Sequence, residues 1–306
     1  MSYASGQTIA AADYNGFVST FNAVWGTGSG NSGYGQSNTL STVSASATVS
    51  ATEWSTMISR LNSALTHQAG SGSGITAPVT GNTITAISTL SQKITDSSTN
   101  RLNFNSTRGT PSTTNYDATW ASTTPGAFQQ VRTITFASAD QARYFFNAGG
   151  QIGIALSVPA GGSDNNKESD WTTLTGTNVG TLNIRVNDNG RTGTGGTLTA
   201  NTSIGFYQLT STDQQALSIA STTAAYTLNT IQILVKCNVA SNATGGATVI
   251  TVTINHNDGS TDDNSVGAGT LDQINMTMRA AVTVTPPETT NLSNSWGTVT
   301  PAATVN

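Results

Sequence analysis

The sequence contains few charged side chains, 8% of its 306 residues, whereas soluble domains carry about 25%. Its Lys and Arg residues number 11 and are scattered, too few for the phosphate contacts that nucleic-acid binding requires. A formal net charge of −4 is also too small to keep a chain unfolded by repulsion. We therefore expect a folded protein with an uncharged polar surface and no nucleic-acid partner.

The sequence also lacks paired cysteines and long apolar runs. Cys237 is the single cysteine and lies in an apolar stretch, which favours a buried thiol. No segment approaches the roughly 18 apolar residues of a membrane span, and the first residues lack the basic and apolar regions of a secretory signal. We expect neither a membrane-embedded nor a classically secreted protein, and no membrane partner.

Histidine is scarce, and no motif of a catalytic site is present. The two histidines, His67 and His256, occur without a nucleophile-elbow motif. The Gly-rich stretch 26–36 lacks the Lys-Ser/Thr ending of a phosphate-binding loop. The segment 255–264 is rich in Asn and Asp but lacks the terminal Glu of a calcium-binding loop, which favours a polar hairpin and leaves metal binding there open. We predict no enzymatic activity, catalytic residue, cofactor or assigned metal site.

Two segments near the N-terminus share the apolar spacing of amphipathic helices. Residues 12–25 and 48–65 match at an offset of 40 residues, with apolar side chains at i, i+3, i+4 and i+7. Because neither helix can bury its apolar face alone, we expect both to pack as one unit. The candidate packing or interface residues are Tyr14, Phe17, Phe21, Trp25, Trp54, Met57 and Leu61.

From about residue 113 the pattern changes to short β-prone runs separated by Gly, Asn, Asp and Ser, which is typical of an antiparallel sandwich. The predicted runs are 131–136, 151–158, 180–186, 203–209, 230–239, 248–254 and 273–284. We predict an α+β fold: a small helical N-terminal module with an internal repeat, followed by an antiparallel, jelly-roll-like β-sandwich. The predicted boundaries are 1–70 for the helical repeat module, 71–112 for a linker with a third helix, 113–285 for the sandwich and 286–306 for an extended C-terminal arm.

Three consecutive aromatic residues, Tyr144, Phe145 and Phe146, complete the candidate packing or interface set. Neither a helix nor a strand can turn all three toward one core face. We therefore expect at least one ring to face a different layer or a neighbouring subunit. Gly149 and Gly150 follow, and they suit a sharp reversal with positive φ before the next strand.

Three stretches resemble virion structural proteins of tailed bacteriophages, especially those of marine and cyanobacterial phages. They are Ala12-Asp-Tyr-Asn with Asn22-Ala-Val-Trp-Gly and Gly33-Tyr-Gly-Gln; Glu53-Trp with Asn62 and His67-Gln; and Ala142-Arg-Tyr-Phe-Phe-Asn-Ala-Gly-Gly-Gln-Ile. The resemblance implies a non-catalytic tail, fibre or neck/collar component located in the virion and made in the host cytoplasm.

Such a component would bind copies of itself, with three- or six-fold symmetry favoured, and neighbouring virion proteins. Three alternatives stay open. They are a carbohydrate-binding adhesion domain for a host surface glycan, a capsid decoration protein, and a depolymerase of host glycans. Exposed aromatic side chains would favour the adhesion domain, whereas paired carboxylates in a groove would favour the depolymerase.

Overall fold

The computed structural model describes residues 10–80, 87–105, 107–260 and 273–304. The chain forms two compact units, and both are discontinuous in sequence. The helical unit consists of Met1–Gly109, Asp140–Gly150 and Pro286–Gly297. The sheet unit consists of Thr110–Ala139, Gln151–Thr285 and Thr298–Asn306. The chain therefore passes between the two units five times.

The helical unit contains four helices within the described ranges. They are α1 (Ala11–Trp25), α2 (Ala51–Ala69), α3 (Ile87–Thr99) and α4 (Ala139–Asn147), whose first residue is assigned to the sheet unit. Helix α2 begins with a capping box in which Ser50 and Glu53 bond reciprocally to each other's backbone N–H. It ends at Gly70 with a φ of 78°, the left-handed conformation that glycine adopts without steric cost.

The predicted helical repeat is confirmed by the first two helices. Helices α1 and α2 begin 40 residues apart, and each buries the apolar face that the spacing indicates. The Trp54 ring packs edge-on against Tyr14 and Phe17, with ring centroids 5.4 and 6.2 Å apart. These contacts join the two apolar faces directly, as expected for helices that cannot bury those faces alone.

The sheet unit contains two six-stranded antiparallel sheets. The strands are β1 (Ser112–Thr114), β2 (Asp117–Ser122), β3 (Gly126–Thr135), β4 (Gln151–Ala160), β5 (Thr181–Ile184), β6 (Asn189–Arg191), β7 (Thr197–Asn201), β8 (Gln214–Ala220), β9 (Thr230–Cys237), β10 (Val249–Asp258), β11 (Ile274–Thr285) and β12 (Thr300–Thr304). One sheet has the order β1-β11-β4-β5-β6 with β2 also paired to β11, and the other has the order β12-β3-β10-β9-β8-β7. A short helix, α5 (Asn166–Thr172), continues into a π-helical turn over Thr173–Val179.

Side-chain contacts show that the two sheets face each other. Gln130 on β3 donates from Nε2 to the Met278 carbonyl on β11, across the sheets, at 3.1 Å. Trp120 on β2 stacks on Phe128 of β3, with centroids 5.4 Å apart. Strands β9 and β10 alternate strictly between buried and partly exposed residues, as one face packs inward. The predicted α+β class with an antiparallel sandwich is confirmed.

Chain-distant strands pair in the middle of both sheets, β3 with β10 and β4 with β11. The consecutive strands β7 to β10 form a meander within one sheet. The predicted strand at 203–209 is wrong. Phe206–Gln208 is a 3₁₀ turn that buries both Phe206 and Tyr207, so adjacent aromatic rings, rather than alternating ones, face the core.

The structural division differs from the predicted contiguous domains in three places. Helix α3 is part of the helical unit, where Leu90 and Ile94 are buried, rather than part of a linker. Helix α4 belongs to the helical unit although strands flank it in sequence. The expected C-terminal arm is divided: 286–297 packs in the helical unit, and β12 pairs with β3. Helices α3 and α4 carry apolar residues that are buried in the helical unit. Strand β12 pairs with the edge of β3 that β10 does not occupy.

Candidate functional site

The candidate packing or interface residues lie inside the helical unit. Each is at most 8% exposed, and together they form much of its core: Tyr14, Phe17, Phe21, Trp25, Trp54, Met57, Leu61, Tyr144, Phe145 and Phe146. The three consecutive aromatics are all buried because helix α4 is enclosed around its circumference, with residues 142–147 all buried. These side chains pack within the chain and form no exposed surface.

Two asparagines on α1 bind the backbone of the extended segment that follows it. Asn22 donates from Nδ2 to the Leu40 carbonyl and accepts from the Leu40 N–H, both at 2.9 Å. Asn15 makes the same pair of bonds to Val43, again at 2.9 Å. Positions seven residues apart share one helix face, so the segment returns antiparallel to α1. Each side-chain amide bonds both the N–H and the carbonyl of one backbone residue, as a neighbouring strand would.

The second copy of the repeat also binds its return segment from the equivalent positions, Asn62 and Ser55, with one backbone bond from each. Asn62 accepts from the Ser73 N–H at 2.7 Å and from its hydroxyl at 2.6 Å. Ser55, which corresponds to Asn15 in the first copy, donates to the Pro78 carbonyl at 3.0 Å. The segment after α2 therefore also returns antiparallel to its helix. The duplicated element is a helix with a return segment, which extends the repeat beyond the apolar face detectable in the sequence.

A buried polar network centres on Tyr34, in the Gly-rich stretch after α1. The Tyr34 hydroxyl accepts from Gln68 Nε2 and donates to the Arg101 carbonyl, each at 2.8 Å. Gln68 also donates to the Ser97 carbonyl at 2.9 Å. Burial raises the pKa of Tyr34 above its ordinary value, so its hydroxyl remains a proton donor. This network connects the loop after α1 to the ends of α2 and α3.

The segment 286–297 is anchored in the same unit by hydrogen bonds and by burial. Gln36 donates from Nε2 to the Ser293 carbonyl at 2.9 Å and accepts from the Ser293 N–H at 2.7 Å. Leu292 and Trp296 are each 2% exposed. The segment is therefore part of the packed core and satisfies backbone groups through a side-chain amide.

His67 and Glu288 form a buried hydrogen-bonded pair beside a small cavity. Nδ1 of His67 lies 2.9 Å from Glu288 Oε1. Burial lowers the pKa of His67, and the hydrogen bond to Glu288 opposes part of that shift. Burial alone would raise the pKa of Glu288, but hydrogen bonds from the Asn291 backbone and side chain, His67 and the Thr290 backbone hold it below its ordinary value. The cavity, about 160 Å³, is lined by Thr66, His67, Asn105, Thr107, Glu288, Thr290 and Asn291.

The arrangement orients the His67 ring in the manner of a carboxylate-histidine pair. With the carboxylate of Glu288 ionised, Nδ1 carries the proton and Nε2 is the basic nitrogen. That Nε2 atom is buried and has no hydrogen-bond partner among the described residues. Bulk solvent does not reach Nε2. The hydrogen bond between Nδ1 and Glu288 joins the segment 286–297 to α2. Sequence reasoning missed the contact because 221 residues separate the partners.

Glycines of the 26–36 stretch permit the close approach of α4. Asn147 on α4 donates from Nδ2 to the Gly33 carbonyl at 3.0 Å. A Cβ atom on Gly35 would lie 2.3 Å from the Tyr144 ring, and its φ is +69°. The glycines therefore serve internal packing. Two of the stretches on which the phage resemblance rests contact each other at this point.

The segment 255–264 is only partly within the described residues, since 261–264 lie outside them. Residues 255–258 belong to β10, and Asp258 contacts Lys167 at 3.0 Å. Across the described ranges, no group of three or more His, Cys, Asp or Glu side chains has a metal-binding arrangement. In the same ranges, no helix combines the length and apolar character needed to cross a bilayer. Comparison with family models, curated proteins and solved structures finds no match to this chain.

Proposed function

We propose that the chain is a non-catalytic structural component of a tailed-phage virion, acting through protein-protein interfaces in a homo-oligomer. The observation that carries the proposal is an ordered polar face on the outer side of the sheet that contains β3, β8, β9 and β10, uncharged on these strands apart from Lys236 on β9, which pairs with Asp213. Such a face can associate while removing few charges from water, and removing charges from water is a major cost of binding.

Four amide side chains on that face form a continuous ladder across four strands. Gln129 on β3 donates to Asn255 on β10 at 2.8 Å, and Asn255 donates to Gln232 on β9 at 3.1 Å. Gln232 in turn donates to Gln215 on β8. Because the amides are already held by one another, little side-chain entropy remains to be lost on association. The ladder is therefore a preorganised contact surface.

The phage assignment draws support from where the resembling residues lie. Tyr34, Gln68 and Asn147 come from three separate parts of the resemblance, and all three make buried hydrogen bonds within the helical unit. The resembling residues therefore belong to the packing of one unit of this chain, which is the role that a structural module requires. The proposed partners are further copies of this chain, in three- or six-fold symmetry, and neighbouring virion proteins.

The carbohydrate-binding alternative is favoured by one groove in the sheet unit. It measures about 370 Å³ and is lined by hydroxyl and amide groups and by a buried carboxylate; its lining includes Asn166, Ser169, Asp170, Thr173, Thr223 and Tyr226. Sugar recognition usually adds an aromatic stacking surface. Among the described residues, however, every aromatic side chain is buried or only partly exposed, so we rank adhesion second.

Localisation in purified phage particles tests the proposal. We expect mass spectrometry to detect the chain in the particles in a copy number divisible by three, and a cryo-EM map to place it in contact with identical neighbours. Asn255→Lys should disrupt that assembly by placing a charge within the ladder. Thr177→Lys, at an exposed position elsewhere in the sheet unit, should assemble normally. Absence of the chain from purified particles, or a single isolated copy in each, would refute the proposal.

A further inference from the structure

The sheet unit buries a lysine against an aspartate, and this pair is not used by the proposed function. Lys167 on α5 and Asp258 at the end of β10 are 2% and 1% exposed in their side chains, with Nζ 3.0 Å from Oδ2. Nζ lies also 3.2 Å from the Ser260 carbonyl. We propose that Lys167 and Asp258 condense to an intramolecular isopeptide bond that links α5 covalently to β10.

The pair lies next to a layer of aromatic rings that excludes water. Lys167 and Trp171 are four residues apart on α5 and share a face, whereas His256 and Asp258 are two apart on β10 and also share a face. The Trp171 and His256 rings are 6.0 Å apart, so this pair and the Lys-Asp pair form successive contacts between the same two elements. Trp120 also contacts Trp171, with centroids 4.9 Å apart.

The proposed reaction proceeds from the uncharged form of the pair. Removing two ions from water is costly for each ion, and their mutual attraction at 3.0 Å offsets only part of that cost. Transfer of one proton from Nζ to the carboxylate cancels both charges. It leaves an amine, which is nucleophilic, next to a carboxylic acid, which is electrophilic.

The condensation is balanced without a further reactant. The Nζ lone pair attacks Cγ of the neutral carboxyl group, a C–N bond forms, and the proton released by nitrogen goes to the departing hydroxyl. One water molecule leaves and one amide remains. Reacting groups that are held in contact have effective concentrations of about 10⁵–10⁸ M, and loss of water from a dry site favours the amide.

The use of lysine at this position is unusual within the chain. The sequence has three lysines, and the other two, Lys93 and Lys236, are each 36% exposed beside surface carboxylates. Buried cations elsewhere are arginines, namely Arg132 and Arg143. A guanidinium group stays protonated and so is a poor nucleophile, whereas a buried lysine can lose its proton and react.

Intact-mass spectrometry of the purified wild-type chain tests the inference. We expect a mass lower than that of the linear chain by one water molecule. Trypsin should fail to cut after Lys167 and should release a branched product that joins residues 144–185 to residues 237–279. A wild-type chain at its full linear mass after prolonged incubation between pH 5 and 8, with normal cleavage after Lys167, would overturn the proposal.

Lys167→Arg is the matched control because it keeps the positive charge but cannot form the amide. This variant should have its full calculated mass and no branched product. Asp258→Asn should still cross-link, with loss of ammonia in place of water. A mass deficit that persists in Lys167→Arg would place the lost water elsewhere in the chain and would also overturn the proposal. None of these readouts depends on assembly into a particle.

Discussion

The two units satisfy their backbone polar groups in different ways. In the sheet unit, neighbouring strands pair with each other, and the outer amides bond among themselves, as in the Gln232 ladder. In the helical unit, the described extended segments after α1 and at 286–297 lack a neighbouring strand. Side-chain amides such as Asn22 and Gln36 bond their backbone groups instead. The same residue types therefore decorate one unit and hold the other together. A composition rich in Asn and Gln does not by itself indicate a polar surface.

The largest expected effect tests the core of the helical unit. Trp54 is fully buried against Tyr14 and Phe17, so Trp54→Ala should lower the free energy of unfolding by about 3–5 kcal/mol. Ser59→Ala, on the exposed side of the same helix, should change it by less than about 0.5 kcal/mol. Chemical denaturation followed by circular dichroism measures both. Similar midpoints for the two variants would show that the repeat helices do not depend on this contact.

Acidification should weaken the sheet unit through His256. Burial lowers the pKa of His256 from 6.5 to about 4. As pH falls from 6.5 to 4, the unfolded chain binds a proton that the folded chain does not. The free energy of unfolding should therefore fall by up to about 3 kcal/mol as the pH falls from 6.5 to 4. Above pH 6.5 the titration of His256 should not change it.

His256→Phe should remove that dependence, since a neutral ring fits among Trp120, Phe128 and Trp171. Melting temperatures at pH 7, 5 and 4 measure the effect. His67→Gln is the comparison in the helical unit, where burial also lowers the histidine pKa but the bond to Glu288 opposes the shift. Equal pH profiles for wild type and His256→Phe would contradict the assignment.

The corner after α4 should tolerate no side chain at Gly149. Its φ is +87°, and an added Cβ would lie 2.5 Å from the Phe104 ring. The sequence prediction of positive φ is confirmed at this glycine. Gly149→Val should cost about 1–3 kcal/mol from backbone strain. Gly16→Ala has open space in α1 and should be neutral or stabilising by up to about 1 kcal/mol. Thermal unfolding distinguishes the two, and an unchanged melting temperature for Gly149→Val would refute the strain argument.

Periodic features of the fold could be predicted from the sequence, because they depend on local spacing. The apolar stripes of α1 and α2 and most long strands, such as β3 and β10, were found in this way. The assignment of α4 and 286–297 to the helical unit could not, since contacts such as His67 with Glu288 join residues far apart in sequence. The polar network could not be predicted for another reason. The sequence around Gln68 or Asn147 shows no pattern that distinguishes a buried amide from an amide at the surface.

The smallest expected effect is that of Asn255→Ala, and comparison with Asn22→Ala separates two roles of asparagine: bonding backbone groups in the helical unit and forming the outer ladder of the sheet unit. Asn22→Ala would leave the N–H and carbonyl of Leu40 without their partners, at a cost of about 1–3 kcal/mol if water does not replace them. Asn255→Ala removes two bonds between partly exposed side chains, and because water can occupy their place the cost should be at most about 0.5 kcal/mol. Paired denaturation curves under one set of conditions measure the difference. Equal costs would mean that the outer ladder stabilises its unit as strongly as the helical unit's backbone clamps do, and the contrast between the two units would be wrong.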